Sequence, residues 1–170
     1  MMPMENRTNN HLLFIILLLF LFAFQSNNLW GQKKKLISKN KVQTCTSTEI
    51  HGKTVLTDSK CTYNQAGLLI EEVNYNDSGI FVSRKKYNYN KNGDLITEQK
   101  FNQKHQMLEM RTTSYNALNQ KKEELIYDGK FQLFKKVIYT YDAKGLKVEK
   151  KTFDAQNHLI AKKIYTYTYY

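Results

Sequence analysis

The stretch "YTYDAKGLKV", residues 139 to 148, places tyrosines on alternate positions, followed by an acidic residue, a glycine and alternating apolar residues. The pattern recurs along the chain with a spacing of 26 residues. The main aromatic residues of the successive copies are Tyr63, Tyr89, Tyr115, Tyr141 and Tyr167. A fixed period of about 20 to 50 residues is typical of a repeated supersecondary unit. The chain is therefore predicted to be built from such repeats.

A second series lies inside the first, twelve residues after each main tyrosine, and consists of Tyr75, Phe101, Tyr127 and Phe153. Asn or Asp follows eight of these nine aromatic residues, and its side chain can bond nearby backbone and open a turn. Residues that accept a positive φ stand four positions after the aromatic residue: Gly67, Gly79, Gly93 and Gly145, with Asn119 and Asn157 in two further copies. At Gly129 the "DGK" segment predicts a tighter, two-residue hairpin turn.

About eight residues separate successive turns, which suits strands and is too short for stable helices. Strands joined by such short turns must run antiparallel. The sequence thus predicts an all-β fold, an antiparallel meander of about ten strands built from 26-residue double-hairpin repeats. A single sheet of this width is expected to be curled or partly wrapped, with the tyrosines stacked along one face.

The N-terminal segment has a different composition. An apolar run, "LLFIILLLFLFAF" at residues 12–24, follows Arg7. As a helix it would reach about 20 Å, short of the roughly 30 Å of a membrane core. We therefore predict a secretory signal peptide with a short polar exit segment over residues 1–31, with retention as a short membrane anchor as the alternative. An N-terminal hairpin over residues 32–59 and a repeat domain over residues 60–170 would follow, in a secreted, periplasmic or cell-surface protein.

Cys45 and Cys61 are the only cysteines. They flank the turn signal "HGK" at residues 51–53, and in an exported protein two such thiols are predicted to form a disulfide across a hairpin. Two free thiols are the alternative if the chain is not exported. The cysteines and histidines lack metal-site spacing, and no cofactor motif occurs, so no metal or cofactor is predicted.

The pattern Y-x-Y-[ND]-x-x-G-x-L resembles the YD repeats, also called RHS repeats, of bacterial secreted and surface proteins. The copies that carry the resemblance best are "YNYNKNGDL" at residues 87–95 and "YTYDAKGL" at residues 139–146. A looser similarity exists to hairpin repeats of the MORN kind. In large YD proteins such hairpins wind into a shell around a toxin or other cargo. The resemblance implies export and a β-hairpin architecture, and leaves the role open.

The net charge of the chain favours some classes of function over others. A net charge of +11 is expected to attract polyanions. Glu71, Glu123 and Glu149 recur at one repeat position, where they could act as acid and base, but their spacing beside lysines favours cross-strand charge pairs. We predict no enzyme, and a binding or scaffolding module for an anionic polysaccharide, lipopolysaccharide or another repeat protein. Lysines that only guard strand edges and keep the chain soluble are an equal explanation of the charge.

Two other functions remain open. One is an accessory or immunity-like partner of a larger exported repeat protein, joined through a free edge strand. The other is a glycan-active hydrolase. Nucleic acid is not expected as a partner of an exported chain, and membrane contact is expected only through an uncleaved signal segment.

Overall fold

The computed structural model describes residues 34–51 and 54–170. The predicted signal peptide over residues 1–31 lies outside the described residues, as do Gly52 and Lys53 of the first turn. A short helical segment at residues 34–39 precedes the strands. The strands are β1 (Thr44–His51), β2 (Thr54–Tyr63), β3 (Leu69–Tyr75), β4 (Phe81–Tyr89), β5 (Leu95–Phe101), β6 (Met107–Tyr115), β7 (Lys121–Asp128), β8 (Leu133–Tyr141), β9 (Lys147–Asp154) and β10 (Leu159–Ile164).

The strands form one sheet in sequence order, from β1 to β10, and every neighbouring pair is antiparallel. The predicted all-β meander is thereby confirmed. Since β1 and β10 do not pair with each other, the sheet is open and these two strands are its edges. The boundary drawn between residues 59 and 60 falls inside β2, so the first hairpin continues directly into the repeat sheet.

The turns from β2 onward share one hydrogen-bonding scheme, shown by the turn that Asn76 opens. The Asn76 Oδ1 atom accepts hydrogen bonds from the backbone N–H groups of Ser78 at 3.0 Å and Ile80 at 2.9 Å. The Gly79 N–H donates to the Asn76 carbonyl at 2.8 Å, and φ is 70° at Gly79. Equivalent turn positions with positive φ are Gly67, Gly93, His105, Asn119, Phe131, Gly145 and Asn157. An Asn or Asp side chain thus supplies the hydrogen-bond acceptor that the backbone N–H groups of the turn would otherwise lack.

The tight turn predicted at Gly129 does not form, and that prediction is wrong. Asp128 Oδ1 accepts from Lys130 N–H at 2.8 Å and Gln132 N–H at 2.9 Å, as in the other turns, and Phe131 has the positive φ of 63°. The register of two long flanking strands thus overrides the local preference of Asp-Gly for a two-residue turn. Gly129 is required for a different reason: a Cβ atom there would collide with the carbonyl oxygen of Met107 on the neighbouring hairpin.

Each of these turns is accompanied by a β-bulge. For example, Asn88 faces Thr97, whereas the next residue, Tyr89, faces Leu95, so that Ile96 is an extra residue. The same register shift occurs just before each repeat aromatic that ends a strand from β2 to β8. Bulges bend a strand and increase its twist. Their regular recurrence gives every hairpin the same geometry.

Burial is limited in this single-layer sheet. Among the described residues the side chains with the least exposure are Tyr63, Ile126, Val137, Thr113 and Glu124, at 4% to 8%, and no large side chain is fully buried. Four of them lie close together in β6, β7 and β8. The packed centre of the sheet therefore contains a threonine and a glutamate beside apolar groups.

Candidate functional site

Four rows of three facing residues cross one face of the sheet. The strand register places in these rows Cys61, Glu72 and Lys85; Tyr87, Glu98 and Arg111; Thr113, Glu124 and Val137; and Tyr139, Lys150 and Lys163. Equivalent members are 26 residues apart, as the repeat requires. We call this side of the sheet the tyrosine face.

In the third row the central carboxylate is buried. Glu124 is 4% exposed, and its two oxygens accept hydrogen bonds from Lys121 Nζ at 2.7 Å and the Tyr139 hydroxyl at 2.9 Å. Burial acts to raise the pKa of Glu124, but the hydrogen bonds from Lys121 and Tyr139 outweigh it and lower that pKa below its ordinary value. Burial, followed by the hydrogen bond to Glu124, raises the pKa of Tyr139. The pair stays ionised carboxylate and neutral phenol at neutral pH.

The first row repeats this arrangement closer to solvent. The Tyr87 hydroxyl donates to Glu72 Oε2 at 3.0 Å, and Lys85 Nζ lies 3.6 Å from the same oxygen. The Glu72 side chain is 27% exposed. Burial, then the hydrogen bond to Glu72, raises the pKa of Tyr87. For Glu98 in the second row, the residue that corresponds to this tyrosine is Thr113, which is too short to place its hydroxyl where a tyrosine would place one.

The main repeat tyrosines tie neighbouring strands together. The hydroxyls of Tyr89, Tyr115, Tyr141 and Tyr167 donate to backbone carbonyls twenty residues earlier, namely those of Leu69, Leu95, Lys121 and Lys147, at 2.7 to 2.9 Å. Burial raises the pKa of Tyr89, Tyr115 and Tyr141. At Tyr63 the backbone N–H instead donates to the Gln43 carbonyl at 2.8 Å. These tyrosines are therefore structural members of the sheet.

An open groove of about 640 Å³ lies on the tyrosine face beside the helical segment. Its lining includes Lys34, Tyr63, Glu72, Lys85, Tyr87 and Tyr89. The helical segment is held over the first turn because Ser38 Oγ donates to the Gln65 carbonyl at 3.0 Å, and because Gly67 lets the backbone approach where a Cβ atom would collide with the Lys34 carbonyl. Aromatic rings, two lysines and one carboxylate give the groove a mixed character suited to a polar ligand with an apolar side.

The predicted disulfide is not formed in this structure, where Cys45 and Cys61 are free thiols. They nevertheless face each other directly across β1 and β2. Directly facing Cβ atoms are usually about 4.5–5.5 Å apart, and a disulfide needs about 3.5–4.5 Å, so this register suits a disulfide with a small adjustment of the strands. The disulfide stays a prediction.

Burial, then repulsion from Cys61, raises the pKa of Tyr63 to about 12.

The recurrent glutamates considered for catalysis lie on separate strands. Glu71 is on β3, Glu123 on β7 and Glu149 on β9. At about 4.8 Å per strand, Glu71 and Glu123 are roughly 19 Å apart and Glu123 and Glu149 roughly 10 Å apart. Glu149 is paired with Lys151 at 2.8 Å and Lys162 at 2.7 Å, and the hydrogen bond from Lys151, then that from Lys162, lowers its pKa. The contact with Lys162 on β10 is a cross-strand charge pair, and Lys151 lies two residues away on the same strand, β9.

Charge is distributed unevenly along the sheet, which the net charge alone did not reveal. Residues 54–128 carry ten basic and ten acidic side chains, so they are neutral overall. Residues 129–170 carry nine lysines and three carboxylates, a net of +6. Residues 34–51 carry four lysines and one glutamate, a net of +3, so the positive charge of the described residues lies at both ends of the chain and is larger in β8, β9, β10 and their turns. A count of charge along the sequence could have found this difference once the strands were assigned.

Two further findings concern the described residues 34–51 and 54–170. No group of three or more His, Cys, Asp or Glu residues there is arranged to hold a metal ion. In the same ranges, no helix has the length and apolar character needed to span a bilayer.

Comparison with known proteins yields structural likenesses only. No protein-family model and no curated protein matches the chain. A Bacteroides fragilis protein of unknown function has a TM-score of 0.40 and 17% identity, over 75% of this chain and 96% of that one. The complex of TcdB2, TccC3 and Cdc42 has a TM-score of 0.42 and 14% identity, over 69% of this chain and 8% of that one. TarM has a TM-score of 0.30 and 16% identity, over 79% of this chain and 23% of that one.

Proposed function

We propose that this protein is a secreted or cell-envelope, non-catalytic β-repeat module that binds an anionic glycan or envelope polymer. The observation that carries the proposal is the segregation of charge, which leaves β3 to β7 balanced and gives residues 129–170 a net of +6. Lysines that served only solubility would gain nothing from being concentrated in three neighbouring strands and their turns. A concentrated positive field raises the local concentration of a polyanion and speeds its association.

The single-layer architecture favours binding along an extended surface. A ten-stranded sheet at about 4.8 Å per strand is nearly 50 Å wide, and its tyrosine face carries both rings and charges in repeated rows. A linear polymer can contact several rows at once, so that weak contacts add up through effective concentration. The resemblance to YD repeats, which suggests export, agrees with a polymer of the cell envelope as the partner.

Binding to immobilised polymers tests this proposal. The purified chain should be retained on heparin, polygalacturonate or lipopolysaccharide resin and elute with salt, because exposed charge contacts are screened above about 0.1 M ionic strength. A neutral dextran resin is the control. Equal retention on dextran, or no retention on any anionic resin at low salt, would refute the proposal.

A second function is favoured by the exposed edge of the sheet. All six residues of β10 (Leu159–Ile164) are exposed, and β10 has one neighbouring strand among the described residues. Such an edge can accept a strand from a larger repeat protein, as expected of an accessory or immunity-like partner. Co-purification from envelope extracts, lost in the Ile164→Pro variant and kept in Ile164→Val, would support this function over polymer binding.

A further inference from the structure

The fourth row of the tyrosine face departs from the other three. Its members are Tyr139, Lys150 and Lys163, where Lys150 takes the position that Glu72, Glu98 and Glu124 hold in the earlier rows. The backbone pairing is the same in all four rows, so the difference lies in the side chains alone. The row has two cations and no carboxylate.

Two like charges face each other in this row. Lys150 and Lys163 are directly opposite across β9 and β10. Facing lysines on one side of a sheet repel each other, which destabilises the pair. Neither forms an ion pair within the described part of the chain, whereas the alternate residues Lys151 and Lys162 both pair with Glu149. An anion between Lys150 and Lys163 would remove the repulsion that the fold leaves in place.

Aromatic rings border these lysines. Lys163 Nζ lies 5.4 Å from the centre of the Tyr165 ring, Lys147 Nζ lies 5.0 Å from that of Tyr139, and Lys150 Nζ lies 5.9 Å from that of Tyr139. These are cation–π distances, and they hold the ammonium groups beside flat apolar surfaces. Such a pairing of rings and cations suits a sugar ring that carries an acidic substituent.

The Tyr165 hydroxyl lacks the acceptor that its equivalents have. Tyr87 donates to Glu72, and Tyr139 donates to Glu124. In each case the accepting glutamate is on the neighbouring strand and faces the residue two positions before the tyrosine. For Tyr165 that position is Lys150, which has no acceptor atom. A phenol donor and two ammonium donors thus lie in or beside this row, and none of them has a carboxylate partner among residues 34–51 and 54–170.

We propose that Lys150, Lys163 and Tyr165 form a subsite for one acidic group of a polysaccharide, with the sugar ring packed against Tyr139 or Tyr165. The inference rests on the proposed function and deepens it, since it names the row and the ligand class. Sulfate, carboxylate and phosphate groups share the required chemistry, as each accepts charge-assisted hydrogen bonds from ammonium and phenol donors.

The decisive variant is Lys150→Glu. It restores the residue type of the other three rows, and it gives the Tyr165 hydroxyl the carboxylate acceptor that Tyr87 and Tyr139 already have. The fold should therefore be retained while the subsite is lost. Lys104→Glu is the matched control, because it makes the same change of charge at an exposed turn residue outside the row.

Binding of defined oligosaccharides by calorimetry provides the measurement. Loss of one ammonium contact and introduction of a carboxylate should weaken binding by Lys150→Glu about tenfold to a hundredfold, while Lys104→Glu changes it less than about threefold. Heparin, polygalacturonate and phosphorylated lipopolysaccharide fragments are the three probes, and the tightest binder identifies the acidic group. Lys163→Gln, which keeps the side-chain length, should also weaken binding without introducing a repulsive charge.

The outcomes separate this inference from the broader proposal. If the natural chain binds none of the probes, the proposed function fails. If it binds but Lys150→Glu binds equally well, or Lys104→Glu is weakened as much, the subsite is wrong and general polyanion binding stands. A melting temperature of Lys150→Glu at or above that of the natural chain excludes unfolding as the cause of lost binding.

Discussion

Removing the buried carboxylate in the centre of the sheet should be far more costly than removing its exposed equivalent. Glu124 and Glu72 hold the same repeat position, and each accepts a hydrogen bond from a tyrosine, at 2.9 Å and 3.0 Å. They differ in burial, since Glu124 is 4% exposed whereas the Glu72 side chain is 27% exposed. Comparing Glu124→Ala with Glu72→Ala thus varies burial while the contact stays the same.

The expected cost follows from the contacts. In Glu124→Ala the half-buried Tyr139 hydroxyl loses its acceptor, at about 1–3 kcal/mol, and one buried methylene is lost, at about 0.8 kcal/mol. Lys121 is 45% exposed and turns to water at little cost. The sum is about 3 kcal/mol, or roughly 10 °C in melting temperature. Glu72→Ala should cost about 1 kcal/mol, because water can replace the carboxylate.

Urea unfolding followed by circular dichroism measures both values, and a cycle with Tyr139→Phe isolates the hydrogen bond. A coupling of about 1 kcal/mol between Glu124 and Tyr139 is expected. Costs for Glu124→Ala and Glu72→Ala that agree within about 0.5 kcal/mol would show that burial does not decide the role of this position.

Three other predictions concern the turns, the thiols and the buried phenol. Phe131→Gly should be more stable to urea than Lys130→Gly by about 1–2 kcal/mol, because only Phe131 has a positive φ, and equal stabilities would contradict this. Oxidation of Cys45 and Cys61 should add about 3 kcal/mol, seen as a melting temperature that falls with reductant, while mass after alkylation shows whether the thiols were joined. The raised pKa of Tyr63, about 12, favours the neutral phenol in the folded chain, so its stability contribution is full below pH 10 and is lost as pH rises towards 12. Tyr63→Phe should reduce this alkaline loss, and an unchanged loss would locate the titration elsewhere.

Much of the fold could be predicted because the same signals for strand ends and turns recur in every repeat. The aromatic residue and the following Asn or Asp mark where each strand ends, and a short turn leaves only antiparallel pairing. Phe131 and His105 have positive φ without the residue types that usually signal it. Their phase in the repeat predicts the conformation, whereas the local sequence at Asp128 predicted a different turn. Phase was therefore the better guide.

Other features depend on distances that a repeat pattern does not contain. The helical segment at residues 34–39 is too short to be stable alone, and its place depends on the contact of Ser38 with Gln65 and on the absence of a Cβ atom at Gly67. The hydrogen bond between Tyr139 and Glu124 could be predicted only by counting every bulge, because each bulge shifts the strand register by one residue. These contacts appear only when the register is known.

The proposed subsite lies where the side chains depart from the repeat on a shared backbone. The central residue differs between the rows of the tyrosine face. In the first row it is Glu72, which lines a groove, in the third it is the buried Glu124, and in the fourth it is Lys150. The strand pairing is the same at all three positions, so the backbone does not require a lysine at position 150. Lys150 cannot accept the tyrosine hydrogen bond that Glu72 and Glu124 accept. It also faces a second lysine, Lys163. In the proposal, an acidic ligand group offsets the stability that this row loses through Lys150.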